Sequence, residues 1–251
     1  MRNIDYDALA SRFLVDGVCS IALMGSHARG DSGRYSDIDI VRFWQVSKPR
    51  EASTYLIENH FVVVSNVSPN EVEAWFTSPE MATECIKGVT LSKILWDRDG
   101  YFEKLKKRAE SFVWDSEMQA RANASVSLMM VGLIEEVQKA LEGRRRNDPG
   151  RLLNGKHGLT WWLLKVMRIQ KGILLSGDNG AYPEVLARMG EESEWSSLCK
   201  DAFGVVGRAS LQSEIEAGLK LYALTAELLA DVLEPTDKAM INEVVNRIGN
   251  R

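Results

Sequence analysis

The chain has 251 residues, 45% of them apolar, and a formal net charge of −4. That length and apolar content fit one large globular domain or two small ones, with two the better starting point. The charge supplies no global positive field for a nucleic-acid backbone, which argues against a polymerase or a tRNA enzyme. Cys19, Cys85 and Cys199 are odd in number and lack Cys-x-x-Cys spacing, so neither a disulfide framework nor a zinc site is expected.

The N-terminus opens Met-Arg-Asn-Ile-Asp-Tyr-Asp, acidic where a signal peptide needs its apolar core, and no run of about 18 apolar residues follows. The expectation is a soluble cytoplasmic protein with reduced thiols and no membrane association. Asp5 to Val15 carries Leu9, Phe13 and Leu14 at helical spacing and stops at Asp16-Gly17. Val18 to Met24 reads as a strand, His27 to Ser36 as a connection rich in Gly and Arg, and Asp37 to Val46 as a second strand ended by Pro49. Thr54 to Ile57 and Phe61 to Val67 read as a hairpin about Glu58-Asn59-His60. Pro69 opens a helix with Val72, Trp75 and Phe76 on its apolar side, and Pro79 opens another through Ile86. Val89 to Trp96 reads as a last strand, closed by Asp97-Arg-Asp-Gly100, where Asp97 and Asp99 serve as turn and helix-cap residues.

After Gly100 the texture becomes helical. Val126, Met129, Met130, Leu133, Val137 and Leu141 form one stripe; Leu159, Trp162, Val166, Ile169 and Ile173 a second; Leu211, Ile215, Leu219, Tyr222, Ala226, Leu229 and Leu233 a third, before Pro235. A short helix over 237–247 follows. The turns Arg146–Gly150 and Ser176–Gly180 join the long helices into a bundle. The expected architecture is therefore α/β followed by α: a mixed sheet with helices over 1–110, then a helical bundle over 111–251.

The chemistry concentrates between Ile21 and Ile40. A first strand ends in Gly25-Ser26, where a residue without Cβ lets phosphate oxygens reach main-chain N–H groups and a hydroxyl adds a donor. A short helix beginning near Ser26 would also aim its N-terminus at a phosphate. Asp37 and Asp39 are two apart, so on a strand they share a face, with Ile38 and Ile40 on the other. Two like charges held that close call for a cation between them, and carboxylates with substrate phosphates are the ligands Mg²⁺ takes. Taken alone, the same residues also suit a plain turn and strand-edge acids.

Gly-Ser-His-Ala-Arg-Gly-Asp followed by Tyr-Ser-Asp-Ile-Asp-Ile resembles the signature of the DNA polymerase beta superfamily of nucleotidyltransferases, and within it the small bacterial aminoglycoside and lincosamide nucleotidyltransferases. The resemblance implies a polymerase-beta-like sheet domain with a helical substrate-binding domain, and transfer of a nucleoside monophosphate from ATP or another NTP to a hydroxyl of a small molecule. It implies Asp37 and Asp39 as catalytic Mg²⁺ ligands and Gly25 and Ser26 as phosphate-binding residues. Relatives usually carry a third carboxylate on a later strand, and His60–Val67 contains no acid. Glu51 and Glu58 are substitutes only in another hairpin register, and otherwise sit at solvated strand ends. That departure favours an alternative, a nucleotide-binding regulator or antitoxin-like protein without turnover.

Some relatives use a carboxylate of the helical domain as the base at the acceptor. Of Glu135 and Glu136, Glu136 sits at the edge of the apolar stripe beside Met129 and is the better candidate, against its reading as a surface glutamate. Arg29 suits either a phosphate contact or a pair with Asp31. Arg144, Arg145, Arg146, Arg151 and Lys156 suit either a solvated loop or closure over a triphosphate, with Lys156 taken as the nucleotide contact. Lys165 flanks the Trp162 stripe. His27, within the turn, suits a nucleotide contact without chemistry, while Trp44, Trp161 and Trp162 read as core. The resemblance is compatible with a monomer or a homodimer.

Overall fold

In a computed structural model the described residues are 4–46, 51–207 and 209–249, so the expected strand stop at Pro49 lies outside them. They fall into two compact units. One ends at Trp114 and takes in Leu174–Asp178; the other comprises Asp115–Ile173 and the chain from Asn179 onward.

The first unit is built on a mixed sheet. Helix α1 spans Tyr6–Ser11, capped by the Asp5 carboxylate, which accepts from the Ala8 N–H at 2.9 Å. Strand β1 (Val18–Met24) leads into the short α2 (Gly25–Arg29), then β2 (Ile38–Trp44), β3 (Ser53–Ile57) and β4 (His60–Val67). The β3–β4 turn places Glu58 and Asn59 at φ +49° and +65°, the left-handed pair a tight hairpin requires. Ser68 caps α3 (Pro69–Thr77) in a reciprocal box with Glu71, and Ser78 caps α4 (Pro79–Leu91). Strand β5 (Lys93–Asp97) and α5 (Tyr101–Glu110) complete the unit. Asp97 caps α5, its two oxygens accepting from the N–H groups of Phe102 and Glu103 at 2.8 and 3.2 Å, and Asp99 turns the chain at φ +56°.

One expectation fails here. Val89–Leu91 does not open the last strand but closes α4, because Ala82, Ile86 and Val89 recur at helical spacing and are all buried; only Lys93–Asp97 pairs in the sheet. The strand order is β3-β4-β2-β1-β5, with β2 and β4 parallel and the other pairs antiparallel. Ile21, Leu23, Ile38, Ile40, Val62 and Val64 pack with Leu9 and Phe13 on one face. Phe43, from the alternate row of β2, meets Trp75 and Phe102 on the other.

The second unit is helical. It contains α6 (Ser116–Gly132), α7 (Ile134–Arg146), α8 (Pro149–His157), a π-helical turn over Gly158–Trp162, α9 (Leu163–Gln170), α10 (Ala181–Met189), α11 (Glu194–Phe203), α12 (Leu211–Leu228) and α13 (Pro235–Gly249). Val126, Met130, Leu133 and Val137 are buried as one stripe, although the chain breaks at Leu133 into two helices. Leu159, Leu163 and Val166 meet the α12 stripe of Ile215, Leu219 and Tyr222 in a fully buried core. Two buried polar bonds fix the register: the Tyr222 hydroxyl donates to the Met130 carbonyl at 3.1 Å, and the Trp195 indole N–H to Thr225 Oγ1 at 2.9 Å. Trp44 is core, as expected, but Trp161 and Trp162 are 49% and 45% exposed. The π turn widens the helix there and sets both rings at the surface. No described helix is long and apolar enough to cross a membrane.

Candidate active site

The antiparallel pairing of β1 with β2 sets Met24 opposite Asp39. The next residue, Gly25, therefore turns directly over the Asp39 side chain. It does so at φ +64°, and a Cβ added there would lie 2.0 Å from Asp39 Oδ2. Glycine is required twice over, for the left-handed backbone and for the carboxylate beneath it. The residue read as a phosphate-facing glycine thus first makes room for a carboxylate.

From Gly25 the chain winds through α2 and leaves it at Gly30, φ +84°, whose N–H bonds to the Ser26 carbonyl at 2.9 Å. Ser26, His27 and Arg29 ride on that turn. The Tyr6 hydroxyl and His27 Nδ1 share a hydrogen bond of 2.8 Å, while His27 Nε2 is buried without a partner. Burial lowers the His27 pKa, which keeps the ring neutral at pH 7. Arg29 Nε donates to Asp31 Oδ2 at 3.1 Å and Nη1 to the Ser176 carbonyl at 3.0 Å. Of the two readings offered for Arg29, the pair with Asp31 is present, and its second bond goes to main chain remote in sequence.

Asp37 is exposed just before β2, and Asp39 is the second residue of the strand, half-buried, with Ile38 and Ile40 buried on the opposite face. The strand thus starts one residue later than expected, so alternation does not fix the face of Asp37, but its charge acts on Asp39. Burial raises the Asp39 pKa, the Asp37 charge raises it further, Arg29 offsets part of this, and Asp178 adds to it. Negative charge that Arg29 offsets only in part, on a half-buried carboxylate, fits a divalent cation. Among the described residues no three His, Cys, Asp or Glu side chains converge as a metal cage. Two carboxylates with the remaining ligands from phosphate and water is the arrangement Mg²⁺ favours. The strand β4 runs parallel to β2, with Val63 opposite Asp39 and no acid along it. A cavity of about 610 Å³ lies between α1 and the β3–β4 turn; its lining includes Ile38 but neither carboxylate.

The other expected site residues lie in the helical unit. Glu136, in the first turn of α7, packs on Gly158 of the π turn, where an added Cβ would come within 2.3 Å of its Cγ. Its carboxylate accepts from Lys139 at 2.9 Å, and Glu135 pairs with the same ammonium. Lys156 donates to Glu214 at 2.6 Å. The rest of the basic cluster is paired too: Arg144 with Glu216, Arg145 and Arg146 with Glu142, and Arg151 with Asp148 at 3.2 Å. Lys165 Nζ sits 5.6 Å over the Trp162 ring. Asp178 is the residue the sequence did not flag. It lies in a stretch that reads as an ordinary turn between helices, and no local pattern reveals that it bears on Asp39.

Residues 7–109 match the family model of the nucleotidyltransferase domain. No curated protein matches the chain by sequence. The crystal structure of a nucleotidyltransferase-like protein from Exiguobacterium sibiricum 255-15 is similar in fold, with a TM-score of 0.52 at 15% identity, covering 98% of this chain and 79% of that one.

Proposed function

We propose that the protein transfers a nucleoside monophosphate, AMP from ATP, to a hydroxyl of a small molecule with the help of Mg²⁺. The observation that carries this reading is the closure of Gly25 over Asp39, with the Asp37 charge acting on Asp39, inside the stretch that matches the nucleotidyltransferase domain model. In the proposed reaction the acceptor oxygen bonds to the α-phosphorus, the bond to the bridging oxygen breaks, and pyrophosphate leaves. When bound, the divalent cation neutralises phosphate charge and polarises the α-phosphate. Asp37 and Asp39 would hold it. The Gly25-Ser26 turn would receive the outer phosphates through main-chain N–H groups and the Ser26 hydroxyl. Glu136 would take the acceptor's proton, a role that requires Lys139 to release one of its two glutamates. Lys156 as a phosphate ligand would require release from Glu214. An antibiotic is one class of acceptor that the resemblance suggests.

The test is pyrophosphate release with Mg²⁺ and each of four ribonucleoside triphosphates against a panel of aminoglycosides, lincosamides and other polyols. Acceptor-dependent release that Asp37→Asn with Asp39→Asn abolishes is the expected result. Unchanged release in that double variant would sink the assignment. The acid-free β4 favours a second reading, a nucleotide-binding regulator. Clear ATP·Mg²⁺ binding with no release for any acceptor supports it.

A further inference from the structure

Helix α2 is a single turn, Gly25–Arg29, set between two left-handed glycines, Gly25 at φ +64° and Gly30 at φ +84°. No side chain caps its start. Glycine at both ends leaves the turn little stiffness of its own, so its position depends on what holds its sides. His27 and Arg29 leave it on opposite sides, about 200° apart around the helix axis. Arg29 bonds Asp31 and the Ser176 carbonyl, and Ala28 between the two is buried. On the other side the His27 ring lies edge-on to Tyr6, ring centres 6.1 Å apart, and its Nδ1 shares the 2.8 Å bond with the Tyr6 hydroxyl. Tyr6 opens α1, whose Leu9 and Ala10 are buried in one core with Ile38 and Ile40. The bond therefore ties a turn with little stiffness to a helix anchored in the core.

A histidine that binds a nucleotide through its ring nitrogens must keep one of them open to solvent. Here Nδ1 is engaged by Tyr6 and Nε2 is buried. Burial raises the Tyr6 pKa, so the hydroxyl keeps its proton at pH 7, and burial lowers that of His27, so the ring is neutral there. When the phenol donates to Nδ1, the single proton of the neutral ring sits on Nε2. We propose that His27 is a positioning residue and not a nucleotide ligand: the Tyr6 hydroxyl donates to its Nδ1 and thereby holds the Gly25–Ser26 turn in the shape that receives the outer phosphates. This rests on the reading of that turn as the phosphate site.

The test measures the affinity of α,β-methylene-ATP with Mg²⁺ by calorimetric titration of the full chain. Tyr6→Phe removes the hydroxyl alone and should weaken binding by about 2- to 10-fold, the range one hydrogen bond supplies. His27→Leu should weaken it by a similar factor, and Tyr6→Phe combined with His27→Leu by no more than either alone, because each removes the same bond. His27→Asn, whose amide oxygen can accept from Tyr6 in place of Nδ1, should recover most of the loss. Tyr222→Phe deletes a buried hydroxyl bond of the helical unit and should lower the melting temperature without changing the affinity. In the wild type, nitrogen NMR shifts of the His27 ring should report one neutral tautomer with its proton on Nε2, and Tyr6→Phe should move them. Wild-type affinity in Tyr6→Phe, alongside binding lost in Asp37→Asn with Asp39→Asn, overturns the role of Tyr6 and His27 and leaves the transfer site standing. A ring that averages both tautomers, or a loss in Tyr222→Phe equal to that in Tyr6→Phe, overturns it too. Wild-type affinity in the Asp37/Asp39 double variant removes the site and this inference together.

Discussion

Gly25→Ala is the substitution whose consequence the geometry fixes most closely. At φ +64° an L-residue costs about 1–2 kcal/mol relative to glycine. The new methyl would lie 2.0 Å from Asp39 Oδ2 and 3.0 Å from its Cγ, so the carboxylate must swing away, off its rotamer, at about 0.5–1.5 kcal/mol more. The sum, about 1.5–3.5 kcal/mol, corresponds to roughly 5–10 °C in melting temperature for a chain of this length. The companion is Gly30→Ala, five residues on, at φ +84° with no heavy atom within 4 Å of the added Cβ. It incurs the backbone cost alone. Melting curves followed by circular dichroism, with Mn²⁺ titrations on the same samples, separate the two. Gly25→Ala should melt lower than Gly30→Ala and lose Mn²⁺ affinity, whereas Gly30→Ala should keep that affinity. Equal melting temperatures and equal affinities in the two variants would refute the claim that Gly25 exists to accommodate Asp39.

Two further outcomes follow from the same contacts. Asp39 has a pKa raised by burial and by its acidic neighbours, so between the ordinary carboxylate value and that raised value the folded state binds more protons than the unfolded one; stability then falls as pH rises through that interval. Asp39→Asn should therefore raise the melting temperature of the metal-free protein at neutral pH, with the gain vanishing toward acid; a gain independent of pH would contradict the assignment. Gly158→Ala forces the Glu136 side chain out of its contact, at about 1–3 kcal/mol of stability, and should lower the transfer rate as far as Glu136→Gln does. A lowered melting point with an unchanged rate would return Glu136 to a structural role.

The first unit was legible because its signals are local. Strand β1 was read over the residues that form it, Ser68 and Pro69 mark a helix start, and Asp97 caps α5 as its position before Gly100 suggests. The strand misread at Val89 shows the limit: Val89, Thr90 and Leu91 have strand propensity, but burial at helical spacing with Ala82 and Ile86 decides their state. In the helical unit the stripes identified the buried faces, but the π turn that exposes Trp161 and Trp162 depends on three-dimensional packing and has no pattern in the residues. The carboxylate pair was visible from spacing alone. The reason for Gly25 was only half visible, because the approach of Asp39 depends on a cross-strand register that a sequence does not state.

The charge around Asp39 constrains the order of events on the proposed reading. Asp37 and Asp178 oppose ionisation of Asp39, and Arg29, the cation that relieves it, already bonds Asp31 and the Ser176 carbonyl. A free triphosphate approaching Asp39 meets like charge and finds the Arg29 guanidinium bonded to Asp31 and Ser176. A triphosphate already carrying a divalent cation meets the carboxylates as ligands. Nucleotide affinity should therefore fall steeply when divalent ions are chelated, by far more than the loss from Arg29→Lys, which retains the charge but not the fork that reaches both Asp31 and Ser176. Calorimetric titration of ATP with and without Mg²⁺ decides the matter. Equal affinity in the two conditions would mean that phosphate is held by groups other than the Asp37–Asp39 face, and would move the nucleotide site elsewhere on the chain.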